Sequence, residues 1–297
     1  MASSSSESIS LCKILSESRS IIREHPHHFR VLTILFLFPL SLCSIIYVII
    51  QPTFSPHTQS NSTYTTYNPI LYLLFTLLYT ISVTLFSLCA VASISYSTYR
   101  AIYKEPLNLV ESIKSIYNSF WPMVSTIIVL ELIFASIFIP FMVLVLLVYK
   151  RFYLSGVENI SSLSSYFLIV IILISLVFIA LLIYFQVNWI LAYVVVVVES
   201  KWGYEPLQRS VSLIKGNRGV ALSIMMYFGL ISGAFFWCLY GTGWSRWAFF
   251  LYAILASICQ SFILLGNCVA TVVLYVHCRD VHEGLPIKNA KNCPLLK

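Results

Sequence analysis

Long apolar stretches alternate with short polar segments along the whole chain. A helix needs about 20 apolar residues to cross a bilayer, and six stretches are long enough or nearly so. Between them, apolar residues recur at helical spacing among basic ones, which is typical of amphipathic helices at a membrane surface. The pattern predicts an all-α integral membrane bundle with spans near residues 31–50, 69–97, 122–149, 166–198, 220–240 and 249–276.

The tripeptide Glu-Pro-Leu occurs twice, 100 residues apart, at residues 105–107 and 205–207. Each copy follows a long apolar stretch and opens a basic amphipathic segment that leads into the next span. Proline suits the first helical position, and a glutamate is stabilised near the positive helix end. Residues 11–24 resemble a third, weaker copy. The repetition favours three helical hairpins, each introduced by an amphipathic elbow helix, although so short a match also arises by chance.

The polar turn between the fourth and fifth spans is the most distinctive stretch of the chain. It starts at a glutamate that ends a run of five valines, and it continues into the second Glu-Pro-Leu and a basic amphipathic segment. We expect this elbow to fix the turn between the two spans and to lie against anionic lipid headgroups. Its candidate residues are Glu199, Glu205, Pro206, Arg209, Ser210 and Lys215.

The composition supports a membrane protein and indicates its orientation. Only 10% of the residues are charged and 59% are hydrophobic, whereas a soluble domain has about 25% charged residues. Most Lys and Arg residues precede the first span, lie in the two predicted inner loops or lie in the tail, which places both termini in the cytosol. The net charge of +7 is explained by these flanks, and no nucleic-acid-binding motif accompanies it.

Two Asn-x-Ser/Thr motifs give an independent indication of orientation. Asn61 and Asn159 both lie in loops that the charge distribution places outside, and both are candidate glycosylation sites. The predicted organisation is a disordered segment (1–10), a single polytopic membrane domain (11–285) and a cytosolic tail (286–297).

A few polar side chains fall within the predicted spans. Glu131 is the only acid there, and a charge at the middle of a span costs about 2.5–3.5 kcal/mol, so we expect it to face protein or water, or to be protonated. Gln260 and Asn267 on the sixth span are its candidate partners. These residues either relay a proton or cation, or join helices through hydrogen bonds.

No stretch matches a catalytic or metal-binding motif. The chain contains no GxSxG, P-loop, HExxH or CxxC pair, so we predict no enzymatic activity, no cofactor and no metal. His25, His27 and His28 are expected to be solvated residues at the entry to the first span.

Five stretches of the chain together carry a resemblance to known membrane proteins. They are the run from Trp189 to Glu199, the following Gly203–Leu207, the pairs Arg209-Ser210 and Lys215-Gly216, and the ending Tyr275–Glu283. Over about residues 8–285 the chain resembles a plant family of uncharacterised multi-pass membrane proteins. Around the elbow it is similar to the membrane domain that precedes the catalytic barrel of some bacterial glycerophosphodiester phosphodiesterases. The catalytic barrel has no counterpart here, so the resemblance implies an anchoring or organising role and supplies no active-site residues.

These observations lead to three hypotheses of function. The first is a non-catalytic scaffold in the endomembrane system or plasma membrane, whose partners are the bilayer, anionic lipid headgroups and unidentified proteins, without nucleic acid. The second is a small-solute or proton-coupled transporter that uses Glu131 and the intramembrane polar residues. The third is an intramembrane lipid enzyme, for which a catalytic set of residues is lacking.

Overall fold

The computed structural model describes residues 10–54, 69–154, 160–240 and 246–283. In these residues every regular element is a helix and no strand occurs, which confirms the all-α prediction. Asn61, Asn159, the first nine residues and the predicted tail lie outside this part of the chain. The elements are α1 (Leu11–Glu24), α2 (Pro26–Leu32), a π-helical segment (Thr33–Leu37), α3 (Phe38–Phe54), α4 (Pro69–Ile102), α5 (Leu109–Leu154), α6 (Ile160–Trp189), α7 (Ala192–Glu199), α8 (Glu205–Ile214), α9 (Arg218–Tyr240) and α10 (Arg246–Glu283).

Six segments of the described residues are long and apolar enough to cross a membrane, as the sequence predicted for a multi-pass membrane protein. The first of them combines α2, the π-helical segment and α3, and the fourth combines α6 and α7. The fourth is too long for a straight crossing, and the helix is interrupted at residues 190–191. The segments are Pro26–Val48, Ile70–Ile102, Leu109–Arg151, Ile169–Glu199, Arg218–Phe235 and Leu251–Glu283.

The bundle has a well-packed end and a more exposed end. In α4, most large apolar side chains are exposed between residues 70 and 85, whereas buried residues predominate from Leu88 to Ala101. In α6 and α7 the change from exposed to buried side chains comes at Val187, after which most side chains are buried. The packed end also holds α1 and α8, and we call it the elbow end. The apolar exposure elsewhere fits contact with lipid.

Helix α10 is the central helix of the elbow end. Its residues from Val269 to Val276 are almost completely buried except Thr271, and the side chain of Tyr275 is fully buried. Residues of α1, α4, α8 and α9 belong to the same hydrophobic core. A helix that is buried on all sides lies at the middle of a bundle, so α10 can connect the other elements.

The two Glu-Pro-Leu copies differ in structure, which corrects the prediction that both open a helix. Glu205 and Pro206 do start α8, but residues 105–108 are not helical and α5 begins only at Leu109. Lys104 has a φ of +56°, so the chain turns sharply before the first copy. The second elbow is therefore a non-helical turn that runs directly into α5, and among the described residues only the third elbow is a separate helix between two spans.

Candidate functional site

Polar and charged side chains converge at the elbow end of the molecule. The last turns of α10 carry Tyr275, His277, Arg279 and Glu283, and each of these contacts a residue from another part of the chain. We call α1, residues 103–108, α8 and the end of α10 from Tyr275 to Glu283 the elbow layer.

A series of hydrogen bonds between charged and polar side chains attaches the third elbow to α10. Glu199 ends α7, and its Oε1 accepts hydrogen bonds from Tyr275 Oη at 2.9 Å and Arg209 Nε at 3.2 Å. Arg209 also donates from Nη2 to Glu283 Oε1 at 2.7 Å. Partial burial alone would lower the pKa of Arg209, but the charges and hydrogen bonds of Glu199 and Glu283 raise it. Arg209 therefore links three helices, and its guanidinium already has two carboxylate partners.

Helix α8 faces the bundle with one side and the surroundings with the other. Ser210 is fully buried and donates its hydroxyl to the backbone carbonyl of Asn188 at 2.7 Å, beside the buried Pro206. Glu205 and Lys215 are exposed. The predicted elbow residues thus form two groups: Glu199, Pro206, Arg209 and Ser210 hold the turn, whereas Glu205 and Lys215 are available to a ligand.

The second elbow is attached through Arg279, which the sequence reasoning missed. This arginine is only 7% exposed. It donates hydrogen bonds to Tyr99 Oη at 2.9 Å and to Tyr103 Oη, and Tyr275 packs against its guanidinium. Burial raises the pKa of Tyr103, so its hydroxyl stays neutral. The four-residue spacing of Tyr99 and Tyr103 was the available signal, because it puts both hydroxyls on one helix face.

The first elbow is attached by an acid and a histidine. Glu17 of α1 lies 2.8 Å from His277, measured from Oε2 to Nε2. This hydrogen bond lowers the pKa of Glu17 against the opposing effect of burial. His28 differs from the solvated histidine that the sequence predicted, because it is buried and lies 3.0 Å from Ser97 Oγ. Among the described residues, no group of His, Cys, Asp and Glu side chains could hold a metal ion.

A polar cavity of about 510 Å³ lies between the ends of α4 and α7 and the start of α5. At its wall, Arg100 pairs with Glu105 at 2.8 Å and also with Glu111. Lys114 is the other basic residue in the lining. With two acids, two bases and several neutral polar groups, the cavity suits a polar or zwitterionic group at the bilayer surface.

The intramembrane polar residues do not form the single group that the sequence suggested. Glu131 is exposed on α5. Gln260 donates to Ser232 Oγ at 3.1 Å, and Asn267 lines a cavity of about 270 Å³ between α6, α9 and α10. The expected partnership of Glu131 with α10 is therefore absent from the described residues.

The comparisons with known proteins identify a family. The model of the family "Domain of unknown function (DUF8558)" matches residues 3–288. The chain belongs to this family. The DUF8558 match includes every helix of the described residues, so the three elbows and the six candidate spans are parts of one family unit. No curated protein and no solved structure matches the chain. The resemblance to a plant family and to phosphodiesterase membrane domains therefore gains no support from these comparisons, and DUF8558 membership assigns no activity.

Proposed function

We propose that this protein is a non-catalytic, multi-pass membrane protein that organises anionic lipids and partner proteins at the cytosolic surface of its membrane. The observation that carries the proposal is the attachment of all three elbows to the end of α10. Glu17, Arg209 and the pair Tyr99–Tyr103 reach that end from three separate parts of the chain. Such cross-connections make the elbow layer a fixed platform, because all three elbows are attached to the same helix end.

The outer surface of this platform has the chemistry of a membrane interface. Trp202 and Tyr204 immediately precede α8 and are 68% and 61% exposed, and these two residue types concentrate where headgroups meet hydrocarbon. Lys215 is exposed at the opposite end of α8 and pairs with no acid among the described residues. Tyr117 and Trp121 supply a comparable exposed aromatic surface on α5. A basic, aromatic surface favours anionic headgroups.

We infer that the platform lies in the cytosol, together with both termini, in the endomembrane system or plasma membrane. The distribution of Lys and Arg supports this orientation. An anchoring role would also agree with the resemblance to plant membrane proteins and phosphodiesterase membrane domains. Transport has less support, because Glu131 is exposed on α5 while Asn267 lines a cavity between three other helices.

The first experiment tests lipid enrichment by the platform. The full-length protein is placed in nanodiscs of phosphatidylcholine with a minor fraction of fluorescent phosphatidylserine, and energy transfer from a labelled terminus reports the local concentration of the anionic lipid. We expect Lys215→Gln to weaken enrichment about fivefold, since a basic residue near a membrane contributes about 1 kcal/mol. Glu205→Gln, on the same helix, should strengthen it.

Arg209→Gln distinguishes an effect on the stability of the bundle from an effect on lipid binding. Because Arg209 already bonds two carboxylates, its loss should lower the stability of the bundle more than Lys215→Gln does. Unchanged enrichment in Lys215→Gln, together with no response to Glu205→Gln, would rule out the lipid-organising platform.

A further inference from the structure

A separate groove lies on the outside of the bundle, between the first span and α10. Its volume is about 350 Å³, within the range of about 300–1,000 Å³ that small-molecule sites occupy. Ile34 and Phe38 form one wall, and Ile258 and Phe262 form the other. One wall includes part of the π-helical segment, and such segments occur frequently at functional sites.

The polar atoms at the base of the groove are already hydrogen-bonded. Thr33 Oγ1 donates to the carbonyl of Phe29 at 2.8 Å. Ser261 Oγ lies 2.6 Å from the carbonyl of Ser257 and 2.6 Å from Ser41 Oγ. The groove therefore presents an apolar surface, which favours a hydrocarbon chain over a polar solute.

Arg30, at one end of the groove, is the only charged residue among the described residues that line it. It is exposed, and it is the last charged residue before the twenty uncharged residues 31–50, which places it at the bilayer boundary. Among the described residues it has no carboxylate partner, in contrast to Arg100 and Arg209. A guanidinium is well suited to bind phosphate through paired hydrogen bonds.

We propose that this groove binds one anionic glycerophospholipid, with the phosphate on Arg30 and one acyl chain along Ile34, Phe38, Ile258 and Phe262. Arg30 and Phe38 are eight residues apart, so the groove follows the span for about 12 Å. Its lining contains a base and no acid. A net negative headgroup is thus preferred, because the ammonium group of a zwitterionic lipid would find no counter-ion. The site gives the lipid-organising role a specific ligand, and it rests on that proposed function for its biological meaning.

Native mass spectrometry of the full-length protein tests this site. The protein is released from micelles containing equal amounts of phosphatidylglycerol and phosphatidylcholine with identical acyl chains. We expect the wild-type protein to retain one phosphatidylglycerol in preference to phosphatidylcholine. Arg30→Gln should weaken phosphatidylglycerol retention about tenfold, because it removes a charge-assisted hydrogen bond, and should abolish the preference. Ile258→Trp should fill the groove and lower retention of both lipids.

Two variants serve as matched controls. Arg23→Gln removes an exposed arginine of α1 that does not line the groove, and Leu255→Trp enlarges an exposed residue of α10 outside the lining. Both should behave as the wild type. Circular dichroism and gel filtration show whether Ile258→Trp folds. If it does not, the comparison of Arg30→Gln with Arg23→Gln still tests whether the groove binds the phosphate through Arg30.

Equal retention of the two lipids by the wild type would overturn the proposal. The same holds if Arg30→Gln matches Arg23→Gln, or if the groove is covered by a second copy of the chain and only lipid-free dimers are released. The platform is tested independently: enrichment that does not change in Lys215→Gln or in Glu205→Gln, together with one retained phosphatidylglycerol, would reject the platform and keep the groove.

Discussion

At the scale of single residues, the elbow end is held by buried polar groups that are paired across helices. Ser97 Oγ lies 2.9 Å from Ser112 Oγ and 3.0 Å from His28 Nε2, which joins α2, α4 and α5. Ser210 joins α8 to the end of α6 in the same way. Buried hydroxyls need such partners, since an unpaired buried polar group costs about 1–3 kcal/mol. Each pair therefore specifies one relative position of two helices.

Ser210→Ala tests this principle at one hydrogen bond. The change leaves the carbonyl of Asn188 without the hydroxyl that it now receives at 2.7 Å, and we expect a loss of about 1–3 kcal/mol of stability. Ser212→Ala, two residues later on the exposed side of α8, should change stability by less than about 0.5 kcal/mol. Unfolding of both variants in detergent micelles measures the difference, and equal stabilities would contradict the assigned role.

At the scale of elements, the sequence identified the third elbow but not what it contacts. Glu199 and Arg209 were predictable because they flank a turn between two recognisable spans. Glu283 and Arg279 were not, because they lie far along the chain, and helical periodicity shows which residues share a face without showing what that face meets. Glu105 and Glu205 show the same limit. The identical tripeptides adopt different structures, although a residue with positive φ precedes both copies, Lys104 before the first and Gly203 before the second.

The attachment of α1 to α10 should weaken in acid. The hydrogen bond with His277 lowers the pKa of Glu17 below its usual value of 4.5. A carboxyl whose pKa is lowered by folding stabilises the folded state above its usual pKa, and this contribution disappears as the pH falls through the lowered value. We therefore expect wild type to be more stable than Glu17→Gln near neutral pH, by less than about 1 kcal/mol because Glu17 is partly exposed.

Thermal unfolding in detergent across this pH range provides the measurement. The difference between wild type and Glu17→Gln should shrink below about pH 4.5. Glu24→Gln, which replaces an exposed carboxylate at the end of the same helix, is the control for a general effect of removing an acid from α1. A gap between wild type and Glu17→Gln that stays constant through this range would exclude the contact as its source.

At the scale of the whole molecule, the spans were predictable and their packing was not. Length and hydropathy define each span, but they do not show which helix takes the centre. Glu131 illustrates the limit: the sequence suggested that it faces protein or water within the span, and it is exposed on α5. Hydropathy places Glu131 in a span, but it does not show which side of that span the other helices cover.

The arrangement of the whole chain predicts that the N-terminus and the end of α10 lie on the same side of the membrane. Six crossings return the chain to its starting side, and Glu17 of α1 contacts His277 of α10 directly. Epitopes placed at the two termini of the full-length protein should become accessible together when only the plasma membrane is permeabilised. Asn61→Gln and Asn159→Gln should each remove one glycan-dependent shift in gel mobility, and glycosidase treatment of wild type should remove both. Termini that are accessible from opposite sides would contradict the six-span bundle, because Glu17 and His277 could not then meet.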